Sequence, residues 1–427
     1  MEDIFDQSYF ELSTPEAVLY RMCSLHPGAV FGAEAAAAAV DLPVEDVETS
    51  LHVLVDRNLI TEVADRRFRY HNLLLLHARR QSERCDPEPA RRAALRRILE
   101  WYLDRAVDAD LVVRPTRHHV GPRYHQDRAR WVTTHKRALE WFTEERRNLR
   151  FAVQSAHEHG WDALTWQFCE ALWSSFLHIT VYSDWLEIHA LGIPAARREG
   201  HHIAEARLRA QLCYALNGLR RYDDAIREGQ VALDLAVQEN DESTKATALG
   251  ELAGALQGIG DLSGALTCLQ EARQIRLVIG TDRAAAVLQR RIGEVLDALG
   301  RSDEAADQIG AAVAALSTVD PAQHSAALTS LGSLFFRAGR ASEAEPLLTE
   351  ALDIARELGF PHYQASALLT LGDIAWHRNN ATDAARQWTA ALQIYAAGGS
   401  PKATDVAARL NRVPSETTVD HDCDPQP

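Results

Sequence analysis

Four histidines, His118, His119, His125 and His135, crowd one Pro- and Arg-rich stretch, and histidine is a common ligand for transition metals. Neither a cysteine nor the HExxH spacing accompanies them, so the stretch reads as a solvated loop and no metal centre is expected. Acid pairs at Asp223-Asp224 and Asp303-Glu304 have the residue types for general acid–base work. They recur at the same place in a repeated block, where carboxylates favour the positive end of a helix, and that explains them without catalysis. No GxSxG nucleophile elbow is present. A phosphate-gripping loop needs GxxxxGK[ST], whose amides and lysine hold the phosphates. Lysine occurs only at Lys136, Lys245 and Lys402, and none of them follows a glycine. The expectation is a protein that is not an enzyme and carries no cofactor.

What the residues do encode is a repeat. The blocks RRYDDAIREGQVAL, GDLSGALTCLQEA, GRSDEAADQIGAA, GRASEAEPLLTEAL and NNATDAARQWTAAL carry alanines at Ala225, Ala265, Ala305, Ala344 and Ala384, spaced by 40, 40, 39 and 40. A fixed period of that length marks a helical solenoid. In each unit a bulky residue precedes a small one: Leu212-Cys213, Leu252-Ala253, Ile292-Gly293, Leu331-Gly332 and Leu371-Gly372. Seven positions beyond the first alanines lie Ala232, Ala272, Ala312, Ala351 and Ala391, about two helical turns on and therefore on the same face. Small residues on both helices would let an antiparallel pair approach closely. Between the helices, Gly260, Gly300, Gly339 and Asn379 stand where a left-handed residue ends the first helix, with Arg220 in the first unit. Asp223, Ser263, Asp303, Ser342 and Thr382 follow and have the side chains of N-caps.

This pattern resembles the tetratricopeptide repeat (TPR) over about 205–396, with the extra length over the family's usual unit expected in the second helix. Trp166, Trp173, Trp185 and Gly192 fall in phase with it and suggest a degenerate unit upstream. The cluster Trp161, Trp166, Phe168, Trp173 and Phe176 is read as core rather than as a ligand cage. By analogy with TPR grooves, the candidate partner-binding residues are Tyr214, Asn217, Arg290, Glu294, Asp297, Arg337, Asp373 and Trp376. They are mixed in charge and lack the repeated Lys and Asn that grip a peptide carboxylate.

Residues 10–80 read differently. TPEAVLYRMCSLH predicts a helix capped by Ser13 or Thr14, a second helix follows over 33–39, and a third over 43–57. Two β-like runs, 59–63 and 67–71, flank a turn at Ala64-Asp65. Three helices and a hairpin make a winged-helix arrangement. Its third helix carries Glu45, Asp46, Glu48 and Asp56 against Arg57 alone, which opposes phosphate contact, although the hairpin has Arg66, Arg67 and Arg69.

FDQSYFELSTPEAVLYRMCSLHPGAVF, LPVEDVETSLHVLVDRNLI, RFRYHNLLLLHAR, RRILEWYLDRA and ALEWFTEERRNLRFAVQSA resemble the C-terminal half of actinobacterial NB-ARC (STAND) ATPase regulators, including those of antibiotic biosynthesis. The resemblance spans about 5–412 and implies a role in transcriptional control of secondary metabolism. His71 matches the histidine of that family's His-Asp pair, beside the nucleotide phosphate, but the next residue is Asn72. With no phosphate loop, His71 is at most a remnant of nucleotide sensing.

Composition agrees with a globular chain: 427 residues, 46% hydrophobic and 25% charged. No apolar run is long enough for a membrane span, MEDIFDQSYF lacks a signal core, and scattered cysteines fit a reducing compartment, so the expected location is cytoplasmic. The net charge of −15 is uneven: −11 over residues 1–65, +10 over 66–150 and −14 beyond. One part of the molecule facing another would explain this.

The expected fold is an all-α TPR superhelix behind a small winged-helix domain with a short β-hairpin. Its divisions are 1–80 (winged helix), 81–160 (helical linker), 161–204 (degenerate repeat), 205–396 (five repeats), 397–412 (C-terminal helix) and 413–427 (disordered tail). The expected function is a non-catalytic regulator that binds a protein or peptide in the TPR groove. The alternatives are direct DNA binding through the winged helix, or a C-terminal fragment of a STAND ATPase regulator.

Overall fold

A computed structural model of the chain describes residues 2–127 and 129–413, with side chains from residue 5 onward. The expected tail lies outside the described residues from 414 on. The fold is helical throughout apart from one small sheet, and packs as two compact units. The first holds the residues through 179 with 183–213 and 227–248, the second holds 180–182, 214–226 and the residues from 249.

The first unit opens with α1 (Glu2–Phe10) and α2 (Thr14–Cys23), then β1 (Val30–Gly32), α3 (Ala33–Val40), α4 (Val44–Asp56), β2 (Thr61–Ala64) and β3 (Arg67–Arg69). Ser13 caps α2, with its amide donating to Glu16 Oε2 at 2.8 Å. The hairpin is there, shorter than expected, and it is not alone. β1 pairs antiparallel with β3, giving the strand order β1-β3-β2 with Phe31 opposite Phe68. Three residues beside a glycine are too few to show an alternating pattern, so β1 had no signal of its own. Leu19, Tyr20, Phe31, Leu51, Leu54 and Phe68 fill the core between helices and sheet.

Next come α5 (Asn72–Cys85), the long α6 (Glu88–Val113) and α7 (His135–Glu158), then α8 (Asp162–Ala171), α9 (Trp173–Ile179) and α10 (Tyr182–Arg198). Four of the five aromatic-cluster residues are core: Trp161, Trp166, Phe168 and Phe176 are buried, with Phe176 stacked on the fully buried Trp185 at 5.1 Å, while Trp173 is half-buried.

The array follows as helix pairs, here called A and B within each repeat. They are α11 (His202–Gly218) with α12 (Tyr222–Gln238), α13 (Glu242–Ile259) with α14 (Leu262–Val278), and α15 (Asp282–Ala298) with α16 (Ser302–Leu316). The last pairs are α17 (Pro321–Arg337) with α18 (Ala341–Glu357) and α19 (Pro361–His377) with α20 (Ala381–Ala397), closed by α21 (Lys402–Leu410). In the last two pairs A and B are both 17 residues long, so the added length is shared and not confined to the second helix.

Within the last three pairs the glycine of helix A sits under the B-helix residue four beyond the first alanine. A Cβ on Gly293 would lie 2.5 Å from Ile309 Cγ1, one on Gly332 2.7 Å from Leu348 Cγ, and one on Gly372 2.4 Å from the Trp388 ring. The paired alanines Ala305, Ala312, Ala344, Ala351, Ala384 and Ala391 are all at 0% exposure. The A–B turns are left-handed at Gly260, Gly300, Gly339 and Asn379 and, in the first repeat, at Arg220, whose φ is 57°.

The caps stand two residues earlier than expected in the later repeats. Asp261 and Asn380 cap α14 and α20, accepting from the amides of Gly264 at 2.9 Å and Asp383 at 3.1 Å. Arg301 and Arg340 hold the cap position without a side-chain acceptor and pair instead with Glu304 and Glu343. The left-handed residue reverses the chain so tightly that the helix starts two residues later. Ser263, Asp303, Ser342 and Thr382 therefore fall inside the first turn.

Because Leu348 has no room to retreat, Gly332→Val is expected to destabilise the chain by about 1–3 kcal/mol through overpacking. Gly339→Ala, whose Cβ would point into open space, should cost about 1 kcal/mol through its left-handed φ alone. Urea unfolding of the two variants against the parent measures the difference.

Candidate functional site

The A helices of neighbouring repeats bond laterally, and the polar residues that do so recur at one repeat's spacing. Asn217 Nδ2 donates to the Glu251 carbonyl at 2.9 Å, and Arg291 Nη2 donates to the Gly250 carbonyl at 2.7 Å. Arg290 pairs with Glu294 on its own helix, and the Ser330 hydroxyl of α17 donates to the same carboxylate. Arg337 Nε donates to Asp297 at 3.1 Å, joining α17 to α15. Gln323 Nε2 donates to the Tyr363 hydroxyl at 2.8 Å and Ser333 meets Thr370 at 3.0 Å, joining α17 to α19. At the far end Asp373 accepts from Trp388 Nε1 at 3.1 Å and from Arg409 Nε of α21 at 2.9 Å. Trp376 lies 5.7 Å from Trp388, ring to ring.

The structure thus joins Arg290 with Glu294 and Asp297 with Arg337. It ties Asp373 to α21, and leaves Tyr214 and Asn217 half-buried on α11, two repeats before α15. Burial pushes the Glu294 carboxyl up, but Arg290, the Ser330 bond and Arg291 outweigh it, so its pKa falls below the usual value and it stays ionised. At Glu251 burial prevails over Arg291 and raises the pKa. Sequence reasoning missed Glu251, Arg291, Ser330 and Thr370. They form one polar column, each immediately before the bulky residue of the Leu-Gly pair, and that column was the readable signal.

The histidine-rich loop gathers no centre. His118 Nε2 lies 3.4 Å from Asp241, His119 stacks on Tyr124 at 3.9 Å, His125 is exposed, and His135 begins α7. Among the described residues no group of three His, Cys, Asp or Glu side chains is placed to hold a metal ion. The loop is instead pinned by a buried charge cluster. Arg117 pairs with Asp110 at 2.5 Å, and Glu170 accepts from the Val120 and Gly121 amides at 2.9 and 2.7 Å.

His71 is exposed and caps α5 by position without a side-chain bond. The engaged histidine of that helix is His77, bonded to the Tyr20 hydroxyl and to Asp6 Oδ1, each at 3.0 Å. In the hairpin Arg66 pairs with Glu34 and Glu48, and Arg67 with the buried Glu145, while Arg69 is exposed. Exposed Glu45 and Asp46 open α4. Glu145 also accepts from the Tyr102 hydroxyl at 3.2 Å, which meets His26 Nε2 at 2.9 Å.

The array of paired helices defines the class: the tetratricopeptide repeat family matches residues 323–397. Over most of its length the chain is similar to the regulatory protein AfsR of Streptomyces griseus. The two are 26% identical over 456 residues, which is 95% of this chain and 45% of that protein. AfsR of Streptomyces coelicolor is 37% identical over 119 residues, 27% of this chain and 12% of its own. The chain therefore spans less than half the length of these relatives. Among solved structures, a STAND protein with a TPR sensor from Pyrococcus horikoshii aligns with TM-score 0.47 and 11% identity over 96% of this chain and 65% of its own. NprR in complex with its peptide NprX aligns with TM-score 0.48 and 12% identity over 74% of this chain and 98% of its own. No helix among the described residues is long and apolar enough to cross a membrane.

Burial holds His26 and His189 neutral, with pKa values pushed down from 6.5 to about 4, and His362 to about 3. As pH falls below about 6.5 the unfolded chain takes up protons first. Stability should therefore drop between about pH 6.5 and pH 4, by roughly 1.4 kcal/mol per pH unit for each histidine still neutral when folded. Urea titrations at pH 7, 6 and 5 read this directly, and a flat profile would refute it.

Proposed function

We propose that this chain is a non-catalytic regulatory protein that binds a protein or peptide partner on the A-helix face of its repeats, in the transcriptional control of secondary metabolism. The observation that carries this reading is the A-helix ladder, a run of charged, hydroxyl and aromatic side chains repeated at one level across three helices. Arg337 is 58% exposed while paired with Asp297, and such a pair contributes only about 0–1 kcal/mol internally. A partner can take over either charge at little cost, and the half-buried Trp376 of α19 supplies apolar area. The partner would lie along this face as a helix or an extended segment, with Tyr214, Asn217, Arg290, Glu294, Asp297, Arg337, Asp373 and Trp376 setting specificity.

On this reading residues 1–80 form a winged-helix domain, 81–160 a helical linker, 161–204 a degenerate repeat, 205–396 the binding array and 397–412 its C-terminal helix. Similarity to regulatory proteins over 95% of the chain supports the regulatory role. That the chain covers 45% of the Streptomyces griseus relative favours a second reading, the C-terminal part of a STAND-type ATPase regulator. Direct DNA binding through residues 1–80 draws little support from the hairpin, where Arg67 is committed to the buried Glu145 and Arg66 is already paired with Glu34 and Glu48.

Affinity capture from cell extract should lose its specific partners with Arg337→Glu and with Trp376→Ala, each by about tenfold, the loss expected for a residue at the centre of an interface. Retention of every partner by a chain cut after about residue 200 would remove the array from the function. Gel shifts on random-sequence duplex at low salt should show no retardation at tens of micromolar, where non-specific binding would appear.

A further inference from the structure

A solenoid repeat touches its neighbours and needs nothing else. In the second unit, however, the two ends of the array meet. Arg220, in the A–B turn of the first repeat, grips Asp405 of α21 with both guanidinium nitrogens, Nη1 to Oδ1 at 3.3 Å and Nη2 to Oδ2, across 185 residues of sequence. Beside it the amide of Tyr182 faces the Gly398 carbonyl at 3.5 Å. A Cβ on Gly398 would come within 2.5 Å of the Thr180 carbonyl oxygen, and one on Gly218 within 2.2 Å of the Tyr182 hydroxyl. Tyr182 is 4% exposed in this seat.

The repeat pattern itself marks the junction as selected for contact. The other four A–B turns place glycine or asparagine at the left-handed position, and only the first carries arginine, a residue disfavoured at φ 57°. The departure falls at the residue whose guanidinium reaches the last helix. Gly218 and Gly398 leave the space that Tyr182 and Thr180 fill. Asp405 is held below the usual carboxylate range by its bonds to Arg220.

We propose that Arg220, Asp405 and the seated Tyr182 form a latch that closes the array end to end, and that releasing it opens the A-helix face. The pair is half-exposed on both sides, at 45% and 41%, so it is weak enough to be undone by salt or by a competing charge. That a partner enters by this face rests on the function proposed above. The latch itself is read without any partner, so either can fail alone.

The test uses the full chain. Arg220→Gly removes the guanidinium and relaxes the left-handed turn, so it cannot act by misfolding that turn. Amide hydrogen exchange at 180–184 and 398–405 is expected to quicken roughly two- to fivefold, as for loss of one exposed ion pair, while the thermal midpoint stays or rises. Asp405→Arg should do the same, and the swapped pair Arg220→Asp with Asp405→Arg should restore protection. Oxidative footprinting read by mass spectrometry should show Trp376 reacting faster in Arg220→Gly. Unchanged exchange in both single variants, or a swap that restores nothing, would overturn the latch. Unchanged Trp376 reactivity alongside faster exchange would overturn its control of the face.

Discussion

The array depends on how closely helix A can lie on helix B. At Gly293, Gly332 and Gly372 the helix surface is bare, and Ile309, Leu348 and Trp388 press onto it. Each lies four residues after an alanine with no exposed surface, so one face of helix B alternates a flat step and a knob. The knobs differ in size, from isoleucine to tryptophan, while the bare site stays the same. The repeats therefore share their geometry but not their detailed packing. Burying each knob stabilises the pair by about 2 kcal/mol. A side chain at any of the three glycines would push the helices apart and displace every lateral bond built on their spacing.

Those lateral bonds turn a stack of pairs into one surface. The column Glu251, Arg291, Ser330 and Thr370 sits one residue before the bulky position, facing the preceding or following A helix rather than its own B partner. Arg291 reaches the Gly250 carbonyl and Ser330 the Glu294 carboxylate, so each A helix is oriented by its neighbours as well as by its pair. In the first unit, charges do a related job in a different way. The acidic excess of 1–65 and the basic excess of 66–150 meet directly where Arg66 pairs with Glu34 and Glu48. The uneven charge of the sequence is thus partly one segment facing another.

How much of this the residues declared depends on whether a feature is periodic. The repeats, their small residues and their left-handed turns could be read because each recurs every 40 positions. The caps were placed two residues late: in the second and fifth repeats two acceptable cap residues lie within the same turn, and in the third and fourth the cap position holds an arginine that gives no cap signal. β1 escaped notice because three residues give no period. The candidate binding residues were found by analogy, one repeat at a time; Arg290 and Glu294 pair at helical spacing, but the Arg337–Asp297 tie was invisible because it joins positions 40 apart. His77, not His71, proved to be the engaged histidine of α5, since its partners Tyr20 and Asp6 lie far away in sequence.

The ladder also constrains what a partner can be. Its charges are matched in place: Arg290 with Glu294, Arg291 with Glu251, Arg337 with Asp297, Arg409 with Asp373. Such a face has little net field to draw in a highly charged ligand from a distance, and it favours no single sign. On the proposed reading, recognition there would come from exchange, one internal pair replaced by two new ones, together with apolar contact at Trp376. Exchange at Arg337–Asp297, Arg291–Glu251 or Arg409–Asp373 would loosen a bond between neighbouring helices of the array. Ligand contact and the spacing of the helices would then be coupled through the same side chains, and a partner that bridged α15 and α17 would have to replace the Arg337–Asp297 tie that it broke.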